Sequence, residues 1–150
     1  MKIYRDKSKR LIGLSQSAYI DKVLQRFSME NSKKCNIPMT SGMTLIRSQS
    51  PITPEDKMFM EKVPYASAIG SIMYAMLCTR LDLAYSLSML SRYQENPGKD
   101  HWITVKNILK YLRRTKDEFL IYGVMEELTV IEYIDASFHT DRDDFRSQSD

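Results

Sequence analysis

Hydrophobic and polar positions change period along this chain, and each change marks an element. In KIYRD, Ile3 sits among charged neighbours; after a polar tip at residues 6–9 come Leu11, Ile12 and Leu14. This predicts two short strands around a charged turn. Tyr19, Ile20, Val23, Leu24 and Phe27 then recur at helical spacing, with Lys22 and Arg26 on the other side. The spacing predicts an amphipathic helix, with Ser17 as its N-cap and Asp21 in its first turn. Residues 31–56 hold three prolines, a glycine and many Ser/Thr residues. They show no sustained period and read as a long connection and internal boundary.

The centre returns to helical spacing. In PYASAIGSIMYAMLCT the apolar face is read as Ile69, Ile72, Met73, Met76 and Leu77. A second helix carries Leu83, Leu87 and Leu90 and is stopped by the Asn96–Pro97–Gly98 turn. A third is predicted from Asp100 as N-cap, with a stripe of Trp102, Val105, Ile108, Leu109 and Leu112. Short connections predict that these helices pack as a small bundle. After Lys116 the period falls to two, and EFLIYG and ELTVIEYIDASF read as strands joined near residues 124–126. Met1 falls almost within the first strand, and the polar tail 139–150 resembles a hairpin without its return strand. Both ends therefore read as cut from something longer. The fold class expected is α+β: an N-terminal hairpin, a central helical bundle and C-terminal strands.

Composition narrows the function classes. The 150 residues are 43% hydrophobic and 27% charged, a globular composition. The net charge of +3 is too small to argue for nucleic acid by itself, so local clustering must decide. Cys35 and Cys78 fit no zinc or CxxC spacing and read as reduced thiols of an intracellular protein. His101 and His139 lie far apart, neither with a second ligand at metal spacing. The most apolar stretch, residues 68–77, is about half the length of a membrane helix, so no membrane is expected.

Two features could carry chemistry. Lys106, Lys110, Arg113 and Arg114 lie on or beside one face of the last helix, followed by Lys116, and form the densest basic patch. Such a face suits phosphate contacts that ignore base sequence. It also suits a plain solvated surface, with cations at the negative end of the helix dipole. SKR at residues 8–10 and SKK at 32–34 add weakly to the case for nucleic acid. The second feature is Asp135, an acid inside the strand-like run EYIDASF. It could be a magnesium ligand of a metal-dependent nuclease, which needs several convergent carboxylates, or only a residue of an edge strand. Asp141, Asp143 and Asp144 fall in a turn-like tail, where Asp is common for structural reasons.

Longer blocks carry more information. The Leu-Ser-Gln-x-x-Tyr-Ile block begins at Leu14, and a Gly-x-x-x-Tyr…Thr-Arg-x-Asp…Ser-Arg-Tyr block spans 70–93. Asn96–Leu112 and YIDASF…DRDDFRSQSD follow. Together, across essentially the whole chain, they resemble the Pol polyprotein of copia-type LTR retrotransposons, as found in plants. The resemblance implies a division into 1–30, the end of the polymerase palm and first thumb helix; 31–56, a linker; 57–117, the thumb or connection region; and 118–150, the start of a ribonuclease H-like sheet. It implies that Asp135 is the first magnesium-binding and catalytic aspartate of that ribonuclease H. It also implies that Lys22, Arg26 and the Lys106–Arg114 cations help hold a template–primer duplex or RNA–DNA hybrid, beside other polyprotein segments. The family's Tyr-x-Asp-Asp polymerase motif is absent from this chain. Leu81 stands where the family usually has proline, and Asp150 where its tail has glycine. No catalysis is expected from the chain alone. A non-catalytic nucleic-acid-binding module and an inert pseudogene product remain open as alternatives.

Overall fold

The computed structural model describes residues 1–40 and 42–123, with the backbone of two short strands near the C-terminus. Strands β1 (Lys2–Asp6) and β2 (Leu11–Ser15) form the expected antiparallel hairpin, with Lys2 opposite Ser15. Asp6 shapes the tip, its carboxylate accepting from the Ser8 backbone and hydroxyl and from the Lys9 backbone. β3 (Leu120–Gly123) pairs antiparallel with the other side of β2, Ile121 opposite Gly13. The sheet order is therefore β1-β2-β3, a long-range pairing that the alternating pattern does not reveal. β4 (Ala136–Ser137) and β5 (Gln148–Ser149) form a separate antiparallel pair.

Five helices are described: α1 (Ser17–Arg26), α2 (Pro54–Glu61), α3 (Tyr65–Cys78), α4 (Ala84–Ser91) and α5 (Lys99–Thr115). With the three-stranded sheet they make an α+β fold. Helices α1, α3, α4 and α5 pack around one core that includes Ile20, Leu24, Ile72, Leu87, Leu109 and Leu112. Tyr65 closes this core with a hydrogen bond from its hydroxyl to the Leu90 carbonyl at 2.8 Å. Burial pushes that phenol well above its usual pKa.

Several local expectations are corrected. Gln16, not Ser17, occupies the N-cap of α1, and its side chain is engaged elsewhere; Asp21 lies beyond the first turn. Gly98, not Asp100, caps α5, its N–H donating to His101 Nδ1 at 2.8 Å. A side chain could not stand at Gly98, because its Cβ would collide with the Gln49 carbonyl. The connection ends earlier than its composition suggests: Thr53 caps α2, with Pro54 in the first turn. In α3 the buried face is Tyr65, Ala68, Ile69, Ser71, Ile72 and Ala75, while Met73 and Leu77 are exposed. The helix is apolar nearly all round, so periodicity has little contrast there.

Candidate nucleic-acid interface

Helix α5 sorts its residues cleanly. Val105, Ile108, Leu109 and Leu112 face the core, and Lys106, Lys110 and Arg113 follow one another along an outer stripe. Lys106, Lys110 and Arg113 are half-buried and Arg114 is exposed. The segment after α1 crosses the C-terminal half of this stripe. Arg113 Nη1 donates to the Ser32 carbonyl, and Arg114 Nη1 to Asn36 Oδ1. The Cys35 N–H donates to the Lys110 carbonyl at 3.4 Å. This crossing brings Lys33 and Lys34, both exposed, to the same end of the molecule as Lys110, Arg113 and Arg114. The sequence showed these two clusters only as separate runs, because 76 residues or more divide them.

Lys116 leaves this group: its Nζ binds Asp21 Oδ1 on α1 at 2.8 Å, and that hydrogen bond raises its pKa. Lys22 and Arg26 stand exposed on α1, Arg26 lying 5.7 Å from the Phe27 ring centre. Both lie on a helix packed against α5. The structure therefore joins Lys110, Arg113 and Arg114 to the 32–36 segment and continues the stripe at Lys106, with Lys22 and Arg26 on the neighbouring helix α1. Asp135, Asp141, Asp143 and Asp144 lie outside the described residues. Among the described residues no group of three or more His, Cys, Asp or Glu could hold a metal ion. Among them, too, no helix is long and apolar enough to cross a membrane.

A second polar cluster was not singled out as a site from the sequence. Arg80 is only 5% exposed. Its Nε and Nη2 bind both oxygens of Asp82, at 3.0 and 2.7 Å, and Nη1 reaches the Thr115 carbonyl at 3.4 Å. Tyr111 donates to Asp82 Oδ2 at 2.8 Å and lies beneath the guanidinium, 5.2 Å from ring centre to Cζ. Burial alone would push the Asp82 carboxyl up, but the Arg80 and Tyr111 hydrogen bonds outweigh it and hold it below the ordinary value. Bidentate pairing of this kind fixes geometry as well as charge. The cluster ties the end of α3 to α5.

The same logic runs through the blocks that carry the family resemblance. Thr79 donates to Gln16 Oε1 at 2.8 Å, joining the Leu-Ser-Gln block to the Thr-Arg block. Tyr19 donates to the Ser71 carbonyl at 3.0 Å, and Tyr93 to the Leu45 carbonyl at 2.8 Å while stacking on His101. These motif residues are fasteners between distant segments.

The chain is 44% identical over 149 residues to a Retrovirus-related Pol polyprotein from transposon TNT 1-94 of Nicotiana tabacum, covering 99% of this chain and 11% of that one. Three of its relatives are retrovirus-related Pol polyproteins from transposons. The Pol polyprotein from transposon RE2 of Arabidopsis thaliana is 31% identical over 91% of this chain and 9% of its own length. A third relative, Secreted RxLR effector protein 161 of Plasmopara viticola, is 38% identical over 60% of this chain and 63% of its own. The chain thus corresponds to about a tenth of the length of the two transposon Pol polyproteins. No protein-family model matches it, and no solved structure does.

Proposed function

We propose that this chain is a segment of a copia-type LTR retrotransposon Pol polyprotein. On this reading it runs from the last hairpin of the reverse transcriptase, through its thumb or connection helices, into the start of ribonuclease H. Its part in the intact parent is to grip the template–primer duplex or RNA–DNA hybrid through backbone phosphates, beside other segments of the polyprotein. One observation supports this above all: a chain similar to a transposon Pol polyprotein over 99% of its length folds a line of cations onto one outer face of a well-packed helix. Phosphate contact is the suitable chemistry, since a polymerase must bind any sequence. Hydrolysis of the RNA strand, with Mg2+ held in part by Asp135, belongs in this reading to the intact parent.

The test is binding of the full chain to a short RNA–DNA hybrid across a salt series. Affinity should fall steeply with salt, and Lys106→Gln with Lys110→Gln should flatten the slope by about one unit per lysine. Absence of binding at low salt would refute the reading. In a magnesium-dependent hybrid-degradation assay the chain alone should show no turnover. Turnover abolished by Asp135→Asn would mean that it carries a complete catalyst.

A further inference from the structure

We propose that this surface has a second phosphate-binding element beside Lys106 and Lys110, the Lys33–Lys34 tip, and that Arg113 and Arg114 act chiefly by positioning it. The proposal rests on the nucleic-acid reading above and names the residues that make the contact. Residues on either side of the two lysines are pinned. Ser32 is held by its N–H and hydroxyl to the Met29 carbonyl, at 3.1 and 2.7 Å, and its own carbonyl accepts from Arg113. Cys35 is held by its N–H to Lys110, and Asn36 accepts from Arg114 through its side chain. Between these anchors Lys33 and Lys34 stand exposed.

A loop fixed on both sides presents its cations with little further ordering, which lowers the entropic cost of binding. The arginines differ in their commitments, although Arg114 is exposed like the lysines. Each commits a guanidinium donor to the loop, and Arg113 is already half-buried. The ligand that fits is a pair of adjacent backbone phosphates. Two neighbouring lysines supply point charges without the planar fork that would select a particular base edge.

Substitutions in the full chain separate this assignment from its alternative. Lys33→Gln/Lys34→Gln should lower the salt slope of hybrid binding by about two, between about 50 and 200 mM salt. Both positions are exposed, so the thermal midpoint should stay close to wild type. Asn36→Ala changes no charge but removes the acceptor that holds Arg114. If the arginines position the loop, this variant binds the hybrid several-fold more weakly. If instead they grip phosphate directly, freeing Arg114 leaves binding unchanged or tighter, and the proposal is overturned. An unchanged slope in the double-lysine variant, with loss in Lys106→Gln/Lys110→Gln, would overturn it while sparing the broader reading. Wild-type chain that fails to bind at low salt would remove both.

Discussion

The helical half and the sheet half of this molecule handle their apolar residues in opposite ways. Helices α1, α3, α4 and α5 seal a common core, in which Leu83, Leu90, Val105, Ile108 and Leu109 have no exposed surface. The three-stranded sheet leaves Ile3, Tyr4, Ile12, Ile121 and Tyr122 exposed, on both of its faces. Phe119 lies over Gly13 and, with Tyr4, Leu11 and Ile121, lines a shallow apolar groove. The lesson concerns where stability resides. The helical part buries its apolar residues, and the sheet is held by its ladder and by β2, which leads directly into α1.

The sharpest way to break this contrast is a cavity in the helical core. Leu109→Ala should cost about 3 kcal/mol, read by urea unfolding, because the surrounding helices cannot fully collapse into the space. A cost under about 1 kcal/mol would mean that the helices are loosely packed. Gly98→Ala should come close behind, at about 2 kcal/mol. The added methyl meets the backbone at Gln49, and backbone cannot swing aside as a side chain can. The chain at Arg47–Gln49 should move away from the start of α5, visible as faster amide exchange there.

Next is the cluster that ties α3 to α5. Asp82→Asn leaves the buried Arg80 guanidinium without its counter-charge, at a cost of about 2 kcal/mol. The sign of its pH dependence follows from the lowered Asp82 pKa. A carboxyl depressed on folding contributes stability above its unfolded value, about pH 4, and loses it as pH falls through the folded value. The difference between wild type and Asp82→Asn should therefore be full at neutral pH and shrink below about pH 4. A gap that persists unchanged in acid would mean that Asp82 acts through shape rather than charge.

The same contrast explains what the sequence made legible. The hairpin and α5 were readable because each alternates or repeats against strongly polar neighbours; the α5 stripe from Val105 to Leu112 is buried as expected. The α3 face was misread because Met73 and Leu77 are as apolar as Ile69 and Ile72. Small residues, Ala68, Ser71 and Ala75, decide which side lets its neighbours approach. The start of helix α2 was hidden at the end of a Pro/Ser/Thr-rich stretch, although Thr53, Pro54, Glu55 and Asp56 make a recognisable helix start. Of the candidate surface, the cations on α5 were legible as one face. Their union with Lys33 and Lys34 was not, because it depends on hydrogen bonds across 78 to 81 residues.

The smallest expected effect tests the sheet side of the comparison. Ile121 is 62% exposed, opposite Gly13 in the ladder. Ile121→Thr keeps the branched Cβ that strands favour while removing apolar surface, so it isolates the contribution of burial from that of strand preference. Stability should change by no more than about 0.5 kcal/mol, since little of this side chain leaves water on folding. The same substitution shortens an apolar patch on a three-stranded sheet, so sedimentation at rising concentration should show no more self-association than wild type. If Ile121→Thr instead cost about 2 kcal/mol, the residue would be buried in solution, and the sheet would share in the core that the helices otherwise keep to themselves.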